Sequence, residues 1–132
     1  MKKRMLWLFN AVLTLGLAGC GGGIQKEEPG YQQITAQEAK AMMDVGAGTI
    51  VLDVREQEEY DQGHIPGAVL LPVGEITQES ASAAVPEKDT VVLVYCRSGN
   101  RSKAAAGELA QLGYTQVYEF SGIRDWPYEI EE

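Results

Sequence analysis

An open α/β domain, with a mainly parallel sheet flanked by helices, is the fold this sequence predicts. Two observations carry the prediction. Apolar, β-branched runs at 49–54 (TIVLDV), 90–95 (TVVLVY) and 115–120 read as strands, and helix-like stretches fall between them. The run at 90–95 is apolar without alternation, as a central parallel strand covered on both faces must be. The chain has 132 residues, which suits a single domain of the usual ~100–150 residues. No internal repeat and no second domain is visible.

The first element is an address. Lys2, Lys3 and Arg4 precede an apolar stretch from Met5 to Ala18, which small residues then close before Cys20. This is the layout of a secretory signal peptide, and it is short for a spanning helix. LAGC at 17–20 resembles the lipobox of bacterial lipoproteins. The resemblance implies a signal peptide over 1–19, cleavage before Cys20 and lipid on its sulfur. The domain would then sit outside the cytoplasm, tied to a bacterial membrane by that lipid alone. An uncleaved anchor and a core helix are the competing readings. Residues 20–30, rich in glycine and charge, form the tether, and the folded domain spans 31–132.

Thr35 and Glu38 predict a capping box for a short helix that ends near Gly46 and Gly48. The strand at 49–54 follows. Arg55 to Asp61 reads as a loop and a short helical turn, with Glu56, Glu58, Glu59 and Asp61 on a solvated face. GHIPGA at 63–68 is a turn. Val69 to Val73 is a short strand broken by Pro72, and residues 75–84 form a second helix. The strand at 90–95 leads into CRSGNRS. Lys103 to Leu112 is a helix closed by Gly113, with Ser102 as its cap. Thr115 to Phe120 is the last strand. A short helical stretch from Ile123 to Trp126 follows, and the tail then frays.

The formal net charge is −8, and the part beyond Arg4 is more acidic still. Such a chain has little electrostatic means of holding nucleic acid. An anionic substrate would need a local positive feature. Two cysteines, Cys20 and Cys96, are too few for a disulfide framework. His64 is the sole histidine, so no multi-histidine metal site can form. No metal or organic cofactor is expected, and the sequence sets no oligomeric state.

Cys96 lies at the carboxyl end of the central strand, where ligands bind in parallel α/β sheets. The loop after it enters a helix directly, so its N–H groups can converge as an anion nest and stabilise a thiolate. Arg97 and Arg101 add charge, and Gly99 permits the tight path. The bland alternative is an inert cysteine at a strand end. Arg97 reads equally as a pocket residue or an exposed rim charge. Asp53 and His64 read as structural, Asp53 satisfied by backbone or by Arg55. Trp126 reads as a packing anchor.

These segments, LDVRE at 52–56, GHIPGA at 63–68, VYCRSGNRS at 94–102 and SGIRDW at 121–126, resemble in order and spacing the rhodanese-like single-domain sulfurtransferases. The resemblance covers roughly residues 32–126 and implies a rhodanese-like fold. It implies that Cys96 takes a sulfane sulfur from a small anionic donor such as thiosulfate, carries it as a persulfide and yields it to a thiol or a cyanide-like acceptor. The loop residues Arg97, Ser98, Gly99, Asn100, Arg101 and Ser102 would bind the substrate. Arg101 takes the place of a residue that shapes the pocket and handles the donor's anionic end. Asp53 and Arg55 match a structural acidic–basic pair, and His64 the histidine of the turn. The familiar final motif has two glycines where this chain has Ser121 and Gly122. A phosphatase or arsenate reductase on the same fold is disfavoured, because four residues separate Cys96 from Arg101 where those phosphatases have five. A non-enzymatic sulfide or redox sensor, or a binding module, is the remaining alternative.

Overall fold

A computed structural model describes residues 30–132. The expectations for residues 1–19 and for Cys20 lie outside the described residues. Five strands form one parallel sheet: β1 (Gln32–Gln33), β2 (Ile50–Asp53), β3 (Val69–Leu70), β4 (Val91–Cys96) and β5 (Gln116–Gly122). Their spatial order is β1-β5-β4-β2-β3. Four helices connect them: α1 (Ala36–Val45), α2 (Gln57–Gln62), α3 (Gln78–Ala84) and α4 (Asn100–Gln111). One-turn 3-10 helices lie at Val73–Glu75 and Ile123–Asp125. The open, mainly parallel α/β sheet predicted from the strand pattern is thus the fold observed.

Central β4 pairs with β2 on one side, with Asp53 beside Tyr95, and with β5 on the other. Its alternate side chains enter opposite layers. Val92, Val94 and Cys96 face Ala81 of α3 and Ala105, Ala106 and Leu109 of α4. Leu93 and Tyr95 face Ala39 of α1, with Phe120 and Trp126. Burial on both faces explains the unbroken apolar run.

The capping box on α1 is present: Glu38 N–H donates to Thr35 Oγ1 at 3.0 Å and Thr35 N–H to Glu38 Oε1 at 2.9 Å. Three expectations are corrected. Helix α4 starts at Asn100, not Lys103, and its cap is Gly99 at φ +117°. Ser102 is therefore inside the first turn, fully buried, and not a cap. The tail does not fray at once: His64 and Glu131 exchange backbone hydrogen bonds at 2.8 and 2.9 Å, and Trp126 Nε1–H donates to Glu129 O at 3.2 Å. Finally, Glu59 is not a purely solvated charge, since it binds Arg101.

The β4–β5 ladder shifts register at its end. Val94 pairs with Glu119 but Cys96 with Gly122, so β5 carries an extra residue. Ser121 sits in this bulge at φ +69°, a conformation that glycine adopts more readily. That is where the chain has serine in place of the first glycine of the familiar motif. Among the described residues, no helix is long and apolar enough to cross a membrane.

Candidate active site

Cys96 ends β4, and residues 97–99 return the chain sharply into α4. Gly99 makes the return possible, because at φ +117° a side chain would be strained. Gly122 lets the neighbouring strand close on the loop. A Cβ there would lie 2.0 Å from the Arg97 carbonyl oxygen and 2.6 Å from Ser98 N. Arg124 N–H donates to that same carbonyl at 3.1 Å. The loop is thus clamped from the C-terminal side by Gly122 and Arg124.

The Cys96 thiol is 1% exposed. Gly99 N–H donates to Sγ at 3.0 Å, and Ser102 Oγ lies at 3.5 Å. Burial pushes the thiol's pKa up. Hydrogen bonds from the Ser102 hydroxyl and from the N–H groups of Ser102, Gly99 and Ser98 outweigh it, so the net shift is downward. Ser98 and Asn100 expose their side chains; Ser98 contributes through its backbone. The arrangement can stabilise charge on sulfur, or on an atom bonded to it.

Arg101 does not point freely at the sulfur. Its Nη1 and Nη2 donate to Glu59 Oε2 and Oε1 at 2.7 and 3.0 Å, a bidentate pair between α4 and α2. Arg101 holds the Glu59 carboxyl down at about 2, against the cost of partial burial. Arg97 is exposed and lines a cavity of about 500 Å³ beside the loop, with Arg55, Glu59, Ile123, Arg124 and Ile130. Cys96 does not line this cavity.

Asp53 and Arg55 lie beneath the site. Arg55 Nε and Nη2 donate to the Asp53 carboxylate at 2.9 and 2.6 Å, and Tyr95 OH donates to it at 2.6 Å. Arg55 Nη2 also donates to Gly63 O at 2.8 Å. The pair ties β2, β4 and the 63–68 turn together without touching Sγ. His64 stacks on Tyr60 with ring centroids 3.7 Å apart, and its Nδ1–H donates to Tyr60 O at 2.9 Å. Its Nε2 lies 3.3 Å from Glu131. These contacts hold the turn against the tail, and none is with the Cys96 loop. Among the described residues, no group of three or more His, Cys, Asp or Glu side chains is placed to hold a metal.

Sequence reasoning missed three residues here. Glu59 stands in a charged run that reads as solvated, Arg124 carries no signal of its own within its segment, and Glu119 is a charged residue within its strand. Only Glu119 left a local signal, a carboxylate at an inward-facing position two residues after buried Val117.

Fold and site together define a thiol-bearing α/β domain, with its sulfur presented by a strand-to-helix loop. Comparison with known proteins narrows that class. Residues 35–126 match the rhodanese-like domain, and the chain belongs to that family. It is 40% identical over 74 residues to the thiosulfate sulfurtransferase PspE of Escherichia coli, covering 56% of this chain and 70% of that one. It is 36% identical over 100 residues to YrkF of Bacillus subtilis, which is named as a candidate sulfur carrier protein. That match covers 75% of this chain and only 52% of YrkF, so the chain spans about half of that relative. A solved structure of a rhodanese with anions from E. coli superimposes with a TM-score of 0.60 at 36% identity, covering 64% of this chain and 98% of the other. The BH2092 protein of Bacillus halodurans gives a TM-score of 0.67 at 30% identity, over 77% of each chain. These relationships support a sulfurtransferase-like function in general terms.

Proposed function

We propose that the protein transfers a sulfane sulfur from thiosulfate or a persulfide donor to a thiophilic acceptor, through a persulfide on Cys96. The observation that carries the proposal is the environment of Sγ: a buried thiol at the end of the central strand, with Gly99 N–H at 3.0 Å and its pKa lowered by the loop. In the first half-reaction the Cys96 thiolate attacks the outer sulfur of the donor. The sulfur–sulfur bond of thiosulfate breaks and sulfite leaves with the electron pair. The new terminal sulfur carries negative charge, which the converging loop amides stabilise. In the second, the acceptor attacks that sulfur and Cys96 departs as a thiolate. Two half-reactions through a covalent intermediate give ping-pong kinetics.

The cavity beside the loop suits an anionic donor. Arg97 and Arg124 line it, and its acidic lining residue, Glu59, is bound by Arg101. This is the local positive feature that an acidic chain needs. A steady-state assay with thiosulfate and cyanide tests the proposal. Parallel double-reciprocal lines support it, and the absence of turnover with every sulfur donor and acceptor tried would remove it.

For location, the proposal is a lipid anchor on Cys20 outside the cytoplasm of a bacterium, motivated by LAGC at 17–20. Metabolic labelling with a fatty acid should mark the wild-type chain and not Cys20→Ala. Unlabelled wild-type protein in a bacterial host would contradict it.

A further inference from the structure

Glu119 is a buried acid that the reaction just described does not use. It is 1% exposed, and among the described residues it forms no ion pair. It stands on β5, on the face turned to α4. Its Oε2 accepts from Ser121 N–H at 2.9 Å and from the Ser102 hydroxyl, while Oε1 faces Gln33 Nε2 at 3.5 Å. The bond from Ser121 satisfies an amide in the β-bulge, which is a structural duty. The bond from Ser102 leads to the thiol.

Ser102 has a single hydroxyl hydrogen and four acceptors around it: Gly99 O at 3.0 Å, Ser121 O at 3.1 Å, Cys96 Sγ at 3.5 Å and Glu119 Oε2. The carboxylate is nearest, and a charged acceptor makes the stronger bond. With that hydrogen on Glu119, Sγ faces a lone pair of Oγ, and the thiol donates to it. The other polar contacts of Sγ, the N–H groups of Gly99, Ser98 and Ser102, are donors and cannot take a proton. Cys96 is 1% exposed, so protein groups rather than bulk water surround the thiol in the resting structure. Among the described residues, Ser102 Oγ is therefore the atom placed to receive the thiol's proton.

We infer that Cys96 gives up its proton through Ser102 to Glu119, which acts as a buried positioning residue for thiolate formation. The inference rests on the reading of Cys96 as the nucleophile. In the step, the Sγ–H and Oγ–H bonds break while new Oγ–H and Oε2–H bonds form. The electron pair of the Sγ–H bond stays on sulfur. Ser102 ends as an intact hydroxyl, Glu119 as a neutral acid, and the net charge of the site is unchanged. No oxidant or reductant takes part. When an acceptor later removes the outer sulfur, the released thiolate recovers the proton by the reverse path. After the forward shift the Ser102 hydrogen is directed at Sγ, the arrangement in which Ser102 favours the thiolate.

Other charged groups near the site are Arg97 on the loop, Arg101 and Lys103 on α4, Glu59 of α2, which binds Arg101, and Arg55 and Arg124, which line the cavity with Arg97. Strand β1 offers only uncharged Gln33, and Tyr95 of β4 faces the opposite layer, bonded to Asp53. None of these lies between Sγ and Glu119.

The test is the pH dependence of Cys96 alkylation by iodoacetamide in the full chain, followed on the Cys96 peptide by mass spectrometry. Alkylation reads the thiolate and needs no sulfur donor. The wild type should show a plateau of reactivity on the acid side of the main rise, because the coupled pair shares one proton over that range. Glu119→Gln keeps an oxygen for Ser121 N–H but cannot take a proton. It should lose the plateau, with reactivity there down about tenfold or more. Ser102→Ala should lose it too, and the double variant should be no worse than S102A. A single rise in the wild type would overturn the relay. So would a folded E119Q that keeps the plateau, or one that reacts faster at every pH, as removal of a nearby negative charge alone would produce. If neither variant folds by circular dichroism, the wild-type profile decides. A relay seen in a chain that takes no sulfur from any donor would uphold this inference and defeat the sulfurtransferase reading, so the two fail separately.

Discussion

Gly122→Ala should disable the active loop through the backbone, without removing any group that touches sulfur. The new methyl would sit 2.0 Å from the Arg97 carbonyl oxygen, 2.2 Å from its carbon and 2.6 Å from Ser98 N. Ordinary contact needs about 3.4 Å or more, so strand and loop must separate by roughly 1.4 Å. All three obstructing atoms are backbone, and no rotamer change relieves the clash. The separation also strains the bond from Arg124 N–H to the Arg97 carbonyl, now 3.1 Å. Overpacking of this kind costs about 1–3 kcal/mol, which lowers Tm by roughly 5–20 °C in a domain of this size. A displacement of ~1 Å in the groups that hold the reacting atom costs on the order of 10²-fold in rate. The assay is sulfur loading of Cys96 from thiosulfate by rapid-quench mass spectrometry, with Tm measured on the same preparation. Gly107→Ala is the control. Gly107 lies inside α4, and a Cβ there meets nothing within 4 Å. That change should stabilise the helix by about 0.5–1 kcal/mol and leave loading intact. A G122A protein with wild-type Tm and loading would refute the argument that strand and loop are locked by backbone contact.

Asp53→Ala should destabilise the fold by about 3–5 kcal/mol in urea unfolding, because it strands the buried Arg55 guanidinium; it also deprives Tyr95 OH of its acceptor. A loss below ~1 kcal/mol would show that the pair is dispensable. Arg101→Ala should free the Glu59 carboxylate in the cavity that receives the donor, and so weaken thiosulfate use by about 1.5–3 kcal/mol, the worth of a charge-assisted hydrogen bond, while Cys96 still reacts with small neutral reagents. Unchanged thiosulfate kinetics would remove Arg101 from the site. Glu59→Gln tests the Arg101 pair through pH. The Glu59 carboxyl is lowered from 4.5 to about 2 in the folded protein, so its contribution is present above 4.5 and is lost as pH falls through about 2. The variant's acid unfolding should therefore lose stability less steeply over that window, and identical slopes would contradict the pairing.

What the sequence disclosed was local. The unbroken apolar run at Val91–Cys96 reported a strand covered on both faces, and Thr35 with Glu38 reported a helix start by their spacing. The cysteine loop was legible because its glycine, arginines and serines are adjacent in the chain. Partners far apart in sequence were not. Glu59 meets Arg101 across 42 residues, and Glu131 reaches back to His64 only once the sheet has formed. Ser102 misleads for another reason. Serine beside a helix start is a common cap, but Gly99 with its positive φ took that place and moved the helix start three residues earlier. Ser102 then turned inward to Glu119, and nothing in the local pattern around Ser102 distinguishes an inward hydroxyl from a capping one.

The central claim, that Cys96 is the sulfur-carrying nucleophile, is tested most directly by intact mass after thiosulfate treatment and removal of excess donor. Wild type and Cys96→Ser should be compared, both checked for folding by circular dichroism. A hydroxyl is a far weaker nucleophile than a thiolate at neutral pH. The wild type should gain the mass of one sulfur atom and lose it on addition of cyanide, while the folded serine variant should gain nothing. A folded serine variant that takes up sulfur, or a wild type that takes up none from thiosulfate or any persulfide donor, would contradict the account.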